Sequence, residues 1–363
     1  MLTMDNEGIG NCKYVFVCGM PRTGTSVLGR NIARLENCTG LKNTGQLEDE
    51  GQFLQDVYPL AGRCGGDGRF GFDPRMHLTE TSDLLTAENL ARLRASWDQF
   101  WDKNKTIRVE KTPANLLMTR FLQAGFQNSY FVIVRRHPVA VSIAIQKWKI
   151  NVTSLYNLFE HWLHCHEIFE QDKKHLKRVY ELRYEDYVED PDKYHREIAA
   201  FIGTRVPDSP KEDTFRIVEQ WRNPTGMRVP EHGMEATSSS HNKRYFDRWS
   251  RLLNDSPFRY YYRFIAWKYE PRFARHGYSL TRESGARDVC FSKPSKTGLA
   301  VGGLSCAIAD VCAFAVRLAA RAKAYMKQGV KRLLPEFVAD RVRRARQRSS
   351  SDKERTVLVS PRA

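Results

Sequence analysis

The sequence predicts an α/β fold, a central parallel sheet flanked by helices, with a helical carboxyl-terminal extension. Three observations predict it. Short apolar runs at Tyr14–Cys18, Ile107–Glu110, Tyr130–Val134 and Val179–Leu182 read as buried strands. Helical patterns stand between them, and strands that alternate with helices pair in parallel. Each run ends in polar residues, which places the chemistry of the chain at the carboxyl edge of the sheet.

The first run, YVFVC, leads into Gly19-Met20-Pro21-Arg22-Thr23-Gly24 and then an amphipathic helix opening at Thr25, Ser26, Val27 and Leu28. Strand, glycine turn and helix amino terminus form an anion cradle, since unpaired N–H groups and the positive end of the helix dipole converge there. The spacing Gly19-x4-Gly24-Thr25-Ser26 is P-loop-like, but Thr25 stands where a nucleotide-binding loop has its lysine. The cation has moved into the turn, at Arg22. Such a loop suits a single phosphate better than a triphosphate, which opposes a kinase-like phosphotransferase, the rival enzyme reading.

Between this corner and the second strand, residues 37–75 read as surface structure, with a helix-like pattern at Phe53, Leu54, Val57 and Leu60 and a glycine-dense stretch, AGRCGGDGRFGF, that predicts a lid or solvent loop. Ser82–Lys103 reads as a helix capped by Ser82 or Thr81. The second strand runs into Glu110-Lys111-Thr112-Pro113, with a helix expected over Asn115–Ala124. The third ends in Arg135-Arg136-His137-Pro138 before a helix from Val139 to Lys149 that contains Ser142. The fourth ends in Arg183-Tyr184-Glu185-Asp186. His161, His164, Cys165 and His166 match no standard zinc spacing and read as packing residues.

These motifs in this order resemble sulfotransferases that use 3′-phosphoadenosine 5′-phosphosulfate (PAPS). Pro21-Arg22-Thr23-Gly24-Thr25-Ser26 is similar to the 5′-phosphosulfate loop of bacterial carbohydrate and tyrosylprotein members. Glu110-Lys111-Thr112-Pro113 looks like the segment of heparan sulfate enzymes in which glutamate is the general base and lysine holds donor and acceptor. The resemblance implies Arg22, Glu110 and Lys111 as catalytic residues, with Gly19, Pro21, Arg22, Thr23, Gly24, Thr25, Ser26 and Tyr184 at the donor. It implies Arg136 at the 3′-phosphate by its distance from Pro138, with Arg135 beside it. Its serine falls at Ala144, so Ser142 is the nearest hydroxyl. The Ser238–Arg244 turn resembles the loop that closes over the 3′-phosphate. If Glu110 only pairs with Lys111, Glu48 or Glu50 is the next acid in line. The implied product is adenosine 3′,5′-bisphosphate, and no metal is required where cations neutralise the leaving phosphate. A carbohydrate, glycolipid or small-molecule hydroxyl is the expected acceptor, with peptide tyrosine and phenols kept open.

Length and charge bound the rest. At 363 residues the chain can bury a full core. From Glu283 onward 17 Lys and Arg stand against 7 Asp and Glu, so +10 of the +16 net charge lies in the tail, which argues against a nucleic-acid surface on residues 1–282. The expected division is a sulfotransferase domain over 1–282 and a basic amphipathic extension over 283–363 with a disordered end. Thr297–Val316 is small and apolar, and Leu318–Val338 mixes an apolar with a basic face, interrupted at Gly329 and Pro335. That pattern predicts peripheral membrane contact or docking on a second subunit. Eight cysteines without paired spacing, and no secretory signal, predict a reduced cytoplasmic setting.

Overall fold

The structure, a computed structural model, describes residues 12–146, 153–207, 240–281 and 295–333. Five strands form one parallel sheet in the order β2-β3-β1-β4-β5: β1 (Lys13–Gly19), β2 (Cys38–Gly40), β3 (Ile107–Lys111), β4 (Ser129–Arg135) and β5 (Val179–Arg183). The four expected strands are present, each one or two residues longer than the apolar run. β2 is an addition from the segment read as surface. Its three residues carry no apolar alternation, and pairing with β3 rather than local pattern makes them a strand.

Because β1 is central, successive strands fill one side of it and then the other. The chain reverses direction across the sheet beside β1, and the carboxyl edge opens a crevice there. Strand alternation divides the core. Tyr14, Phe16, Phe131 and Ile133 face one layer with Trp97, Phe126 and Trp162. Val15, Val17, Val132 and Val134 face the other with Leu28, Ile32, Ile198 and Ile202.

The first layer holds α2 (Ala87–Asp98), α3 (Thr119–Gly125), α4 (Pro138–Gln146) and α5 (Leu155–Asp172). The second holds α1 (Thr25–Ile32), α6 (Tyr184–Glu189) and α7 (Pro191–Ile202). α2 is shorter than expected, and its cap is Thr86, whose Oγ1 accepts from Asn89 N at 3.2 Å. Asn89 Nδ2 also donates to Leu84 O, which stops the helix from extending back to Ser82. Pro113 opens a 3-10 turn to Leu117 before α3, so the helix expected from Asn115 begins at Thr119.

The glycine-dense stretch is packed rather than loose. Phe70 is fully buried, and Gly71 N donates to His161 Nε2 at 2.9 Å. A Cβ on Gly71 would stand 2.3 Å from Cys165 Sγ, so glycine lets this chain lie directly on α5. The residues read as an amphipathic helix around Phe53 form only short 3-10 turns. His161 and His166 are core residues, as expected, and burial pushes the His161 imidazole down to about 3. Among the described residues no cluster of three His, Cys, Asp or Glu side chains could hold a metal.

Beyond the sheet, α8 (Ser240–Asn254), α9 (Arg259–Ala274) and α10 (Lys296–Leu333) follow. The chain divides into two compact units, Met1–Asp310 and Val311–Ala363. α10 continues through Gly329, which does not interrupt it; Pro335 and the end expected to be disordered lie outside the described residues.

Candidate active site

Strand β1 delivers the chain to the glycine turn at the crevice. Arg22 (φ 72°) and Gly24 (φ 98°) are both left-handed, so the turn folds back on itself before α1 begins. Thr23 Oγ1 donates to Met20 O at 2.7 Å and closes it. Two glycines are required by close approach. A Cβ on Gly19 would lie 2.6 Å from Val134 O and 2.8 Å from Thr23 Oγ1, and one on Gly24 would lie 2.4 Å from the Tyr184 ring. Gly24 caps α1 without a side-chain hydrogen bond, as a residue with no side chain must.

The two arginines before Pro138 separate by parity. Arg136 Nη1 donates to Arg22 O at 2.9 Å, and its guanidinium lies 4.2 Å from the centroid of the Tyr184 ring. Arg135 points to the other face, where it pairs with Glu170 on α5 and Glu181 on β5. The structure therefore brings Arg136 to the loop and not Arg135, whose charge is already met by two carboxylates.

His137, between Arg136 and Pro138, caps the start of α4. Its Nδ1 accepts from Val139 N at 3.2 Å, and its Nε2 is within 3.0 Å of Ser279 O. Accepting at one nitrogen and donating at the other fixes a neutral tautomer, and burial holds its pKa down to about 3. Ser142 is 1% exposed, and its Oγ has no hydrogen-bond partner among the described residues. Arg244 lies on α8 beside Tyr245, while Ser238 and Ser239 lie outside the described residues.

Strand β3 divides Glu110 and Lys111 between the two faces. Glu110 pairs with Phe16 in register and shares its layer. It is 1% exposed, and three donors fill its carboxylate: Gly51 N (2.9 Å), Thr112 Oγ1 (2.5 Å) and Asn115 Nδ2 (2.6 Å). Burial, opposed by these hydrogen bonds, pushes its pKa up to about 7.

Lys111 faces α1, packed against Gly29, and its Nζ donates to Glu50 Oε1 at 3.0 Å. Glu48 joins them. Burial pushes its pKa up, but the charges of Lys111, Arg30 (3.6 Å away) and Arg22 and a hydrogen bond from Ser26 at the start of α1 outweigh it and hold the carboxylate below its usual range. Glu50 is raised instead, chiefly by burial and against the pull of Lys111. Asp67, from the glycine-dense stretch, is also raised by burial beside Arg22.

The turn that carries these acids contains consecutive left-handed residues, Glu48 (φ 54°) and Asp49 (φ 50°). Asp49 Oδ1 accepts from Thr44 N and Thr44 Oγ1 and holds the turn shut. Sequence reasoning passed over Glu48 and Glu50 as first choices because no local pattern marks them. Their partners are 61 residues away in the case of Lys111 and Glu50.

The model of the sulfotransferase family matches residues 15–208, more than half of the chain and all of the sheet just described except Lys13 and Tyr14. The chain belongs to the sulfotransferase family. It is an α/β sulfotransferase with the glycine turn, the Lys111 acids and Arg136 gathered on one edge of the sheet. No curated protein matches it. Among solved structures it is similar to sulfotransferase STF1 from Mycobacterium tuberculosis H37Rv, at 14% identity over 55% of this chain and 70% of that one, with a TM-score of 0.38. It is also similar to the sulfotransferase domain of the Synechococcus PCC 7002 olefin synthase, at 15% identity over 65% and 88%, with a TM-score of 0.41. Mouse sulfotransferase SULT7A1 complexed with PAP matches at 15% identity over 67% and 85%, with a TM-score of 0.31.

The residues fit a phosphosulfate donor. The Gly24-capped start of α1, the two glycines whose Cβ positions are blocked, the Arg22 side chain and Arg136 on the Arg22 carbonyl form a cation- and donor-rich set at the sheet edge, and Ser142 on α4 carries a buried hydroxyl with no hydrogen-bond partner among the described residues.

Proposed function

We propose that this sulfotransferase moves a sulfuryl group from PAPS to an acceptor hydroxyl, with a sugar or glycoconjugate as the acceptor class. The observation that carries the reading is the glycine turn, with Thr25 at the P-loop lysine position and its cation at Arg22, set against the Lys111–Glu50 pair. When bound, the donor would supply the sulfuryl group on its 5′-phosphate. Gly19, Thr23, Gly24, Thr25 and Ser26 would hold that phosphate with backbone and hydroxyl donors, Pro21 would shape the turn without donating, and Arg22 and Lys111 would neutralise charge as it leaves. Arg136 would meet the 3′-phosphate, with Ser142 as a hydroxyl donor and Tyr184 as the floor under Gly24.

Glu110 was the base expected from the resemblance, and its pKa near 7 suits proton transfer. Its position opposes the role. The carboxylate is sealed into the layer with Phe16 and Trp97, and all three of its hydrogen bonds are internal. Glu50 is the better base. At 9% exposed against 1% for Glu110 it is the less enclosed of the two; one oxygen touches Lys111, the other accepts from Gln52 Nε2 at 2.6 Å, and burial raises its pKa. Glu110 then acts as a positioning residue, since it holds the amide that follows Glu50. The three acids Glu48, Glu50 and Asp67 favour a polyhydroxyl acceptor, because carboxylates accept hydrogen bonds from neighbouring sugar hydroxyls.

The test is thermal stabilisation by adenosine 3′,5′-bisphosphate followed by labelled-sulfate transfer from PAPS to a panel of glycans, glycolipids and phenols. Stabilisation by Mg-ATP and not by the bisphosphate would replace this reading with a phosphotransferase.

A further inference from the structure

We infer that the first part of α10 seats the protein on an anionic lipid bilayer as a surface helix, a property separate from the proposed chemistry. Lys296–Ala319 is long and apolar enough to cross a membrane by length and composition, about 36 Å at 1.5 Å per residue. Between Thr297 and Val316 the only ionisable side chain of Asp, Glu, Lys, Arg or His type is Asp310.

Up to Asp310, the contacts of the helix fix which side faces out. Gly302 lies on the Phe264 ring, where a Cβ would stand 2.2 Å from the nearest ring carbon. Cys306 is buried. Asp310 Oδ1 accepts from Ser154 Oγ at 2.5 Å and from Asn157 Nδ2. One acid bonded to the amino-terminal turn of α5 rules out a spanning orientation for this helix, because the domain already covers that flank. The opposite flank carries Val301, Leu304 and Ile308, which are 51%, 63% and 54% exposed. Their spacing of three and four puts them on one line.

The occupant of that line follows from charge. In coiled coils, charged residues flanking the seam commonly set partner and orientation. The sequence has none from Thr297 to Val316 apart from the inward Asp310, and its apolar residues extend well beyond a narrow seam, to Val311, Phe314 and Val316. Immediately afterwards the chain turns basic. From Arg317 to Arg348 there are eleven Lys and Arg, beginning Arg317, Arg321, Lys323 and Lys327, against Glu336 and Asp340. An apolar line followed by a cationic run matches an acyl boundary overlaid by anionic headgroups.

The experiment is flotation of the full-length protein with phosphatidylcholine vesicles, with and without phosphatidylserine as a third of the lipid, at moderate salt. The parent should float with the anionic vesicles. The exposed triple variant Val301→Asp/Leu304→Asp/Ile308→Asp should bind on the order of tenfold less. Its melting temperature, and its stabilisation by adenosine 3′,5′-bisphosphate, should match the parent, which separates this inference from the proposed function. Three results would overturn it: no flotation of the parent, undiminished flotation of the triple variant, or a parent dimer in solution that the triple substitution dissociates.

Discussion

Glu110 accepts a hydrogen bond from the backbone of Gly51 at 2.9 Å, so a buried strand carboxylate holds the residue next to Glu50. Trp97 Nε1 donates to Gly51 O at 3.0 Å from the same side. The turn carrying Glu50 is thus clamped at both polar atoms of one peptide residue, and Glu50 is held against Lys111. On this geometry Glu50→Gln should keep affinity for adenosine 3′,5′-bisphosphate and lower kcat by about 10²–10⁴-fold, the loss expected for a missing general base. Glu110→Gln keeps most of the internal hydrogen bonding and should cost less than Glu50→Gln. If the larger loss falls on Glu110, the base is Glu110 and the Lys111–Glu50 pair is structural.

Arg22 and Arg136 meet through the Arg22 carbonyl, yet their substitutions should separate. Arg22→Ala should weaken donor binding and slow transfer together, because the guanidinium would meet the 5′-phosphate in ground and transition states alike. Arg136→Ala should reduce the preference for PAPS over the same compound without its 3′-phosphate. Arg135→Ala should leave that preference alone, since Arg135 is engaged by Glu170 and Glu181. Steady-state kinetics with the two donors reads all three, and a loss of preference at Arg135 alone would move the 3′-site to the other strand face.

Gly24→Ala combines two costs. It places a side chain at φ 98°, and its Cβ would overlap the Tyr184 ring at 2.4 Å. The backbone strain alone is worth about 1–3 kcal/mol. The variant should melt lower than the parent and lose donor-induced stabilisation. A control, Gly62→Ala, meets no atom within 4 Å and should melt within a degree or two of the parent.

Much of this fold can be read along the chain, because β1, β3, β4 and β5 each carry an apolar run that needs no partner to be recognised. β2 does not, since Cys38-Thr39-Gly40 becomes a strand only beside β3. The donor loop is legible for the same local reason, and strand parity together with Pro138 distinguishes Arg136 from Arg135. The acids are where local reading ends. Glu110 and Lys111 are adjacent in sequence, but a strand sends them to opposite layers. Which of them meets Glu50 depends on a left-handed turn at Glu48 and Asp49 that few non-glycine residues adopt. The glycine-dense stretch misleads in the opposite direction. Its glycines serve close packing, as Gly71 does on Cys165, rather than mobility.

Glu110 also predicts how stability varies with pH. Its pKa rises from an ordinary 4.5 to about 7, with burial as the leading cause. The folded state therefore binds a proton more tightly than the unfolded state. The sign follows: stability from this group is fully present below about pH 4.5 and is lost as pH rises through 7, where the folded carboxyl must ionise in a buried setting. The loss is on the order of a few kcal/mol, since each tenfold difference in proton affinity between the two states is worth about 1.4 kcal/mol. Glu110→Gln has no proton to lose. Denaturant unfolding of parent and variant between pH 5 and pH 8 should show the parent losing stability relative to the variant across that window. Parallel curves would mean that the donors from Gly51, Thr112 and Asn115 keep Glu110 ionised throughout, and the buried carboxylate would then be a fixed negative charge beneath the Glu50 turn.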